Sequence, residues 1–292
     1  MRLHIFILIL LLGAGIQSLA QTFKVETSKM VYKQVNGNQL EMTMYKPIIT
    51  GSAKLPAIVF FFGGGWVSGT PGHFKMQAEY LASRGIIAFC PDYRVKNRHK
   101  TTPFESVKDA RTAMRYLKVH GEELGVDTDR IVASGGSAGG HLAACTAIID
   151  EINEDTDDLN VTISPFALVL FNPVVDTGKK GYGSEKVKGR EFEISPVHHI
   201  TPGVPPTLIV HGKDDTTVPY ENVQRFCHVM KQQGNSCKLK GYRNQTHGFF
   251  NFSKKPKYFK KTLQQTEKFL ENLELLKGDS WIDKYYKTLG EV

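Results

Sequence analysis

Several patterns that would assign a chemistry directly are missing from this sequence of 292 residues. No internal repeat and no low-complexity tract is visible. Histidine pairs at 198–199 and acidic residues pair at 214–215, without the spacing of a zinc-binding His-Glu-X-X-His motif. The glycine cluster at 135–140 is followed by His141 rather than by the Lys-Ser or Lys-Thr pair of a phosphate-binding loop. We therefore expect neither a metal site nor a cofactor.

Acidic residues are outnumbered, because 37 Lys and Arg stand against 29 Asp and Glu, giving a formal net charge of +8. The basic residues concentrate at 94–100, 179–190 and 254–261. No aromatic-interleaved nucleic-acid motif accompanies these clusters, so we expect no nucleic-acid partner. They form either a solvated basic face or a surface that attracts an anionic polymer.

Cysteine is also scarce, with four residues in the whole chain. Cys90 lies in an apolar strand and Cys145 in an alanine-rich helix, so both are expected to be small buried hydrophobic residues. Cys227 and Cys237 lie close together across a helix-to-strand turn. Connectivity does not follow from sequence, so a bridge between them stays open at this point.

The only long apolar run outside the predicted core is at the N-terminus, where Ile5–Leu12 follows Arg2. Small residues stand at Ser18 and Ala20, before Gln21. This pattern predicts a secretory signal peptide over residues 1–20, too short for a membrane anchor, with a buried strand as the alternative. No cysteine stands at the cleavage site to carry a lipid, so we expect a secreted or periplasmic protein. Residues 21–292 then suit a single α/β domain, with a short extension from about residue 278.

Apolar strand-like runs alternate with helical patterns, which predicts an α/β fold with a mostly parallel sheet and helices on both faces. A helix is expected to begin after Thr102, since Pro103 suits the first turn and Glu105 completes a capping box. Residues 172–203 show no clear period and are expected to form a loop-rich excursion. The strands are predicted near 31–35, 40–45, 57–62, 86–90, 131–133, 166–171, 207–210 and 237–242, and the later helices near 219–233 and 258–276.

The segment Gly135–Gly139 fits the motif Gly-X-Ser-X-Gly and stands between a predicted strand and a predicted helix. In that context the serine, Ser137, sits on a strained turn whose flanking glycines avoid clashes with neighbouring elements. A helix N-terminus also favours negative charge that forms beside it. The alternative is a plain glycine-rich turn.

Three glycines in a row, Gly63, Gly64 and Gly65, follow the most apolar predicted strand. Their backbone N–H groups are free to converge on an oxyanion. The separation of about 70 residues between this loop and the serine matches the order of elements in Gly-X-Ser-X-Gly hydrolases.

An acid after a later strand and a histidine after the last strand would complete a nucleophilic site. Asp214 and Asp215 follow the strand at 207–210, and His247 follows the strand at 237–242. His228 also lies after the acids, but it is inside a predicted helix. Serine needs a base to take its proton, and the base needs a carboxylate to hold its tautomer.

Together these motifs resemble the α/β-hydrolase superfamily, and within it the hormone-sensitive-lipase-like and bacterial carbohydrate-esterase branches, which include acetylxylan and feruloyl esterases. The resemblance spans about residues 31–275. It implies a triad of Ser137, Asp215 and His247, with Asp214 as the alternative acid. The implied oxyanion donors are Gly63, Gly64 and Ala138, with Gly65 as a further candidate. Phe62 stands where the family usually has histidine, which leaves the geometry of the loop to be determined.

The resemblance also bears on the substrate. Only about ten residues separate the predicted signal peptide from the first strand, so no N-terminal cap domain of the hormone-sensitive-lipase type is expected. An open site suits a small acyl group on a bulky alcohol, such as an acetylated polysaccharide, either a neutral one like xylan or an anionic one. The alternatives are a feruloyl, aryl or short-chain lipid esterase, a peptidase, and a non-catalytic binding module, against which the intact triad residues argue.

Overall fold

The computed structural model describes residues 22–290, which form an eight-stranded sheet flanked by helices. The predicted signal peptide lies outside the described residues. The strand order is β1-β2-β4-β3-β5-β6-β7-β8. The first two strands are antiparallel, and the sheet is parallel from β4 through to β8. The strands are β1 Val25–Val35, β2 Asn38–Pro47, β3 Leu55–Phe61, β4 Ile87–Pro91, β5 Val126–Gly136, β6 Ala167–Phe171, β7 Thr207–Gly212 and β8 Cys237–Tyr242.

Helices cover both faces of this sheet, as the alternating pattern predicted. Strand side chains alternate between two cores, so that Val59 and Phe61 of β3 belong to one and Ile58 and Phe60 to the other. Helices α3, α5 and α7 pack on the first core, and α1, α8 and α9 on the second. The helices are α1 Lys75–Ser83, α2 Lys96–His99, α3 Pro103–Val119, α4 Gly121–Leu124, α5 Ala138–Ile148, α6 Ser184–Val187, α7 Tyr220–Gln232, α8 Pro256–Asn272 and α9 Ile282–Leu289.

Helix α3 begins where its capping signals predicted. Both halves of the capping box between Thr102 and Glu105 are present, and Pro103 occupies the first turn. By contrast, α1 was not predicted. Its buried residues include Gln77, Ala78 and the run Tyr80–Ser83, so no apolar stripe with a helical period stands out in the sequence.

The segment after residue 278 packs against α1. Ile282 and Tyr285 are buried, and the Tyr285 hydroxyl donates a hydrogen bond of 2.8 Å to the carbonyl of Met76. The Trp281 indole N–H donates to Ser83 Oγ at 3.1 Å. The C-terminal helix α9 therefore contributes to the second core.

A disulfide bond joins Cys227 to Cys237, whose Cα atoms are 5.3 Å apart. The sequence alone left this pairing open. This disulfide ties α7 to β8. Cys90 and Cys145 are buried free thiols. Among residues 22–290, no helix is long and apolar enough to span a membrane.

Candidate active site

The carboxyl ends of four neighbouring parallel strands bring the predicted site residues to one edge of the sheet. Ser137 directly follows β5 and Asn172 directly follows β6. Asp215 stands in the loop after β7, and His247 in the loop after β8. Because these strands run parallel, loops that are far apart in sequence meet above the sheet.

Ser137 occupies a strained turn, with φ 56° and ψ −120°. The turn fits only because its neighbours are glycines. A Cβ on Gly139 would lie 2.0 Å from the carbonyl oxygen of Phe61, and one on Gly135 would lie 2.4 Å from that of Gly139. The geometry is that of a nucleophile turn, in which strain presents the hydroxyl above the sheet.

A continuous chain of hydrogen bonds links the three predicted triad residues. His247 Nε2 lies 2.9 Å from Ser137 Oγ, and His247 Nδ1 lies 2.7 Å from Asp215 Oδ2. The carboxylate of Asp215 is fully buried, whereas Asp214 is exposed. The arrangement can move a proton from a serine hydroxyl to an imidazole whose tautomer is held by a carboxylate.

Asp215 is held as a carboxylate by the donors around it. Its Oδ1 accepts hydrogen bonds of 2.9 Å from the backbone N–H groups of Thr217 and Val218. His211 Nε2 lies 3.3 Å from Oδ2. Burial alone would raise the pKa of Asp215, but hydrogen bonds from His211, His247 and the Val218 N–H hold that pKa well below its usual range.

Asn172 is a site residue that the sequence reasoning missed. It is fully buried, its Nδ2 lies 3.4 Å from His247 Nε2, and its Oδ1 accepts a hydrogen bond of 3.1 Å from the Gly248 N–H. It therefore braces the loop that carries His247. The available signal was its position, since it is the first polar residue after a wholly apolar strand.

The glycine loop passes next to the serine. A Cβ on Gly63 would lie 2.9 Å from the Gly136 carbonyl oxygen and 3.4 Å from Ser137 Cβ. Across residues 22–290, the N–H groups of Gly63, Gly64 and Ala138 donate to no protein acceptor. Three donors are thus available beside the serine, as an oxyanion hole requires.

Phe62, which stands where the family resemblance implied a histidine, supports this loop. Its ring stacks on Tyr93 with centroids 3.9 Å apart, and the Tyr93 hydroxyl donates a hydrogen bond of 2.7 Å to the Phe62 carbonyl. The turn is closed by hydrogen bonds from the N–H groups of Val67 and Ser68 to the Gly64 carbonyl, at 3.0 and 3.2 Å. Stacking and backbone bonds therefore hold the loop without a histidine.

A cavity of about 470 Å³ opens over Ser137 and His247. Phe74 and Phe250 close one side of it, and both belong to an aromatic cluster with Phe60 and Phe171. A Cβ on Gly136, beside the serine, would lie 2.7 Å from the Phe250 ring and 3.2 Å from the Phe74 ring. Polar residues also line the cavity, among them Tyr182, Asn251 and Lys254.

Comparisons with known proteins agree with this geometry. The BD-FAE family model matches residues 42–178, and the dienelactone hydrolase family model matches residues 168–277. The solved structure of Thermogutta terrifontis esterase 2 phosphoramylated by tabun is 42% identical, covers 86% of this chain and 96% of its own, and superposes with a TM-score of 0.82. This chain belongs to the α/β-hydrolase esterases. The prediction of family and fold class is therefore confirmed.

Further matches are a second form of the same Thermogutta esterase and two curated proteins of lower identity. The butyrate-bound form of the same Thermogutta esterase is 39% identical, covers 90% of this chain and 98% of its own, and has a TM-score of 0.81. A probable isoprenylcysteine alpha-carbonyl methylesterase of Arabidopsis thaliana is 28% identical over 75% of this chain and 50% of its own length. A probable carboxylic ester hydrolase of Mycobacterium tuberculosis is 28% identical over 63% of this chain and 46% of its own. The chain thus spans about half the length of these curated relatives.

Proposed function

We propose that this α/β-hydrolase is a serine carboxylic ester hydrolase that removes a short acyl group, foremost acetyl, from a carbohydrate. One observation carries the catalytic part of the proposal. The hydroxyl of Ser137, the imidazole of His247 and the buried carboxylate of Asp215 form one hydrogen-bonded chain. Free backbone N–H groups stand beside it at Gly63, Gly64 and Ala138.

The reaction follows from these contacts. Ser137 Oγ attacks the ester carbonyl while its proton passes to His247 Nε2, and Asp215 stabilises the imidazolium that forms. The carbonyl oxygen becomes negative and accepts hydrogen bonds from the glycine loop and the start of α5. The tetrahedral intermediate then breaks its bond to the alcohol oxygen, which takes the proton from His247. Water repeats the sequence on the acyl-enzyme and releases the carboxylic acid.

The size of the acyl group is argued from the rings that close the cavity. The rings of Phe74 and Phe250 leave little depth beside Gly136. A Cβ built on Gly136 would already lie 2.7 Å from the Phe250 ring and 3.2 Å from the Phe74 ring. The similar Thermogutta esterase has been solved with propionate and with butyrate bound, which supports a site for short acids. A feruloyl or other aryl ester and a short-chain lipid ester are the alternatives.

The proposal has two further parts: the substrate is a carbohydrate, and the protein is exported. The signal-like segment at 1–20 supports an enzyme that is secreted or periplasmic. Polymers such as xylan are degraded outside the cytoplasm. Basic residues at 179–190 lie in the loop beside the cavity and would favour a substrate with negative charge. A role as a non-catalytic binding module is the remaining alternative.

The proposal is tested by hydrolysis of nitrophenyl esters from acetate to octanoate, alongside acetate release from acetylated xylan. Longer acyl chains should clash with the rings of Phe74 and Phe250, so kcat/KM should fall steadily with chain length. A deep pocket would instead raise kcat/KM by about fourfold, or about 0.8 kcal/mol, for each methylene that it buries. Acetic acid should also be released from the polymer. A preference for octanoate without acetate release from any polymer would favour the lipid alternative, and a preference for feruloyl esters the aryl one.

A further inference from the structure

A second cavity, of about 480 Å³, lies beside the first and shares Gly65 with it. Its walls come from residues 65–67 of the glycine loop, from Lys96 of α2 with residues 100–103 after it, and from Glu185, Lys186 and Lys188 at α6. We call it the lysine pocket. The two cavities are also linked by a hydrogen bond, since Lys186 Nζ in the lysine pocket donates at 2.8 Å to the hydroxyl of Tyr182, which lines the first cavity.

Charge distinguishes the lysine pocket. Four lysines line it, Lys96, Lys100, Lys186 and Lys188, against the single carboxylate of Glu185. Lys186 Nζ lies 3.8 Å from Glu185 Oε1. The other three lysines form no ion pair with any residue of 22–290. The positive charge in this cavity is therefore mostly uncompensated, and a cavity wall of low dielectric strengthens its field.

Two buried polar atoms belong to residues that line the same pocket. Trp66 Nε1 and Thr101 Oγ1 are both inaccessible to solvent and have no hydrogen-bond partner among the described residues. Trp66 as a whole is only 1% exposed. A buried donor left unsatisfied costs about 1–3 kcal/mol. Because neither atom is accessible from the pocket, the lysines alone carry the recognition of a ligand there.

The backbone of the pocket is also strained. Trp66, Lys100 and Lys188 all adopt left-handed conformations, with φ of 59°, 60° and 50°. Helix α2 is capped at its C-terminal end by Lys100 and helix α6 by Lys188. Glycine is the residue usually found at such left-handed helix ends. Strain of this kind concentrates at binding sites, where it holds side chains in place.

We infer that the lysine pocket binds a carboxylate-bearing sugar, a uronic acid, located next to the sugar that carries the scissile ester. The lysines pair with the carboxylate. The inference rests on the proposed esterase function only for the position of the ester. It makes the substrate an acetylated polymer that contains uronic acid rather than a neutral one.

Binding is measured first, because it does not depend on turnover. Calorimetry compares trigalacturonate with neutral xylotriose on the Ser137→Ala protein and on the same protein carrying Lys100→Gln and Lys188→Gln. Trigalacturonate should bind at least about tenfold more tightly than xylotriose, and the double substitution should remove that preference. The matched control, Lys284→Gln with Lys287→Gln on α9, removes the same charge on the other face of the sheet and should retain it.

Equal binding of the two trisaccharides would overturn the inference, as would an equal loss in the control variant. A trisaccharide that carries sulfate groups and no carboxylate should bind less tightly than trigalacturonate. Tighter binding of that sulfated trisaccharide would contradict the choice of a carboxylate. Kinetics on the serine-intact protein separate this inference from the esterase proposal. The double variant should lose about tenfold in kcat/KM on acetylated polygalacturonate and keep its activity on nitrophenyl acetate. Absence of nitrophenyl acetate hydrolysis in the unsubstituted protein would instead refute the esterase function.

Discussion

The two neighbouring acids Asp214 and Asp215 show what a single residue position decides. In sequence both follow the same strand, and only the resemblance to other hydrolases favoured the second. In the structure, Asp215 is buried and accepts hydrogen bonds from His247 and two backbone N–H groups, whereas Asp214 is exposed. Burial and directed donors are three-dimensional properties, so the choice could not be derived from composition or spacing alone.

We predict that Asp215→Asn lowers kcat on nitrophenyl acetate by about 10³- to 10⁴-fold, because His247 is then held in the wrong tautomer. The matched variant Asp214→Asn should stay within about twofold of the unsubstituted protein. Steady-state kinetics at neutral pH, with folding checked by circular dichroism, make the comparison. A larger loss from Asp214→Asn would reverse the assignment.

His141, one turn after the serine, is a buried residue whose protonation the fold opposes. Its Nε2 lies 2.6 Å from the Ile194 carbonyl oxygen, and its ring meets the edge of Trp66 at a centroid distance of 5.0 Å. Burial lowers the pKa of His141 to about 4, although the hydrogen bond to Ile194 opposes the change. The side chain thus joins α5 to the glycine loop and to the excursion after β6.

The stability of the fold should therefore depend on pH through His141. Since an unfolded histidine binds a proton near pH 6.5 and the folded His141 only near pH 4, acidification between these values favours the unfolded state. The loss amounts to about 3 kcal/mol across the window. Denaturant unfolding at pH 7, 5.5 and 4.5 should show a weaker pH dependence in His141→Gln than in the exposed control His228→Gln. Equal slopes would contradict this role.

At the scale of elements, sequence signals succeeded where one local interaction defines the element. The start of α3 was predicted from its capping box. Helix α1 was missed because it is buried on more than one side, and β5 was predicted too short because its first half carries polar residues. The bridge between Cys227 and Cys237 depended on how α7 and β8 come together.

The loop after β8 carries His247, the predicted base, and Phe250, which lines the cavity over Ser137, so we expect it to control chain-length preference. Phe250 lines the cavity, while Phe252 in the same loop packs against Phe259 of α8. We predict that Phe250→Ala raises the rate on hexanoate relative to acetate by about fourfold for each methylene that the enlarged site can bury.

The matched control for that prediction is Phe252→Ala, which removes a ring from the same loop without touching the cavity. Its acetate-to-hexanoate ratio should equal that of the unsubstituted protein. Replacing a core phenylalanine by alanine lowers the free energy of unfolding by about 3–5 kcal/mol. Phe250→Leu is therefore a milder variant, and it should change the acetate-to-hexanoate ratio less, in the same direction. An unchanged ratio in folded Phe250→Ala and Phe250→Leu would place the acyl group elsewhere.

At the scale of the whole molecule, the alternation of apolar strands and helices was enough to predict a parallel α/β sheet. The order of the strands could not be predicted in this way, because it depends on contacts between distant segments. The same holds for the two cavities. Gly65 and Lys186 are 121 residues apart, yet the lysine pocket forms where their segments meet. Motifs predicted single site residues, but not the volumes around them.

The central claim is that Ser137 is the nucleophile of an ester hydrolase, and its most direct test is the turnover of nitrophenyl acetate by purified Ser137→Ala. The substitution removes one oxygen from a turn whose backbone is set by glycines, so the fold should be retained, with an unfolding transition close to that of the unsubstituted protein. We predict that kcat falls by at least about 10³-fold. Near-normal turnover by folded Ser137→Ala would contradict the mechanism.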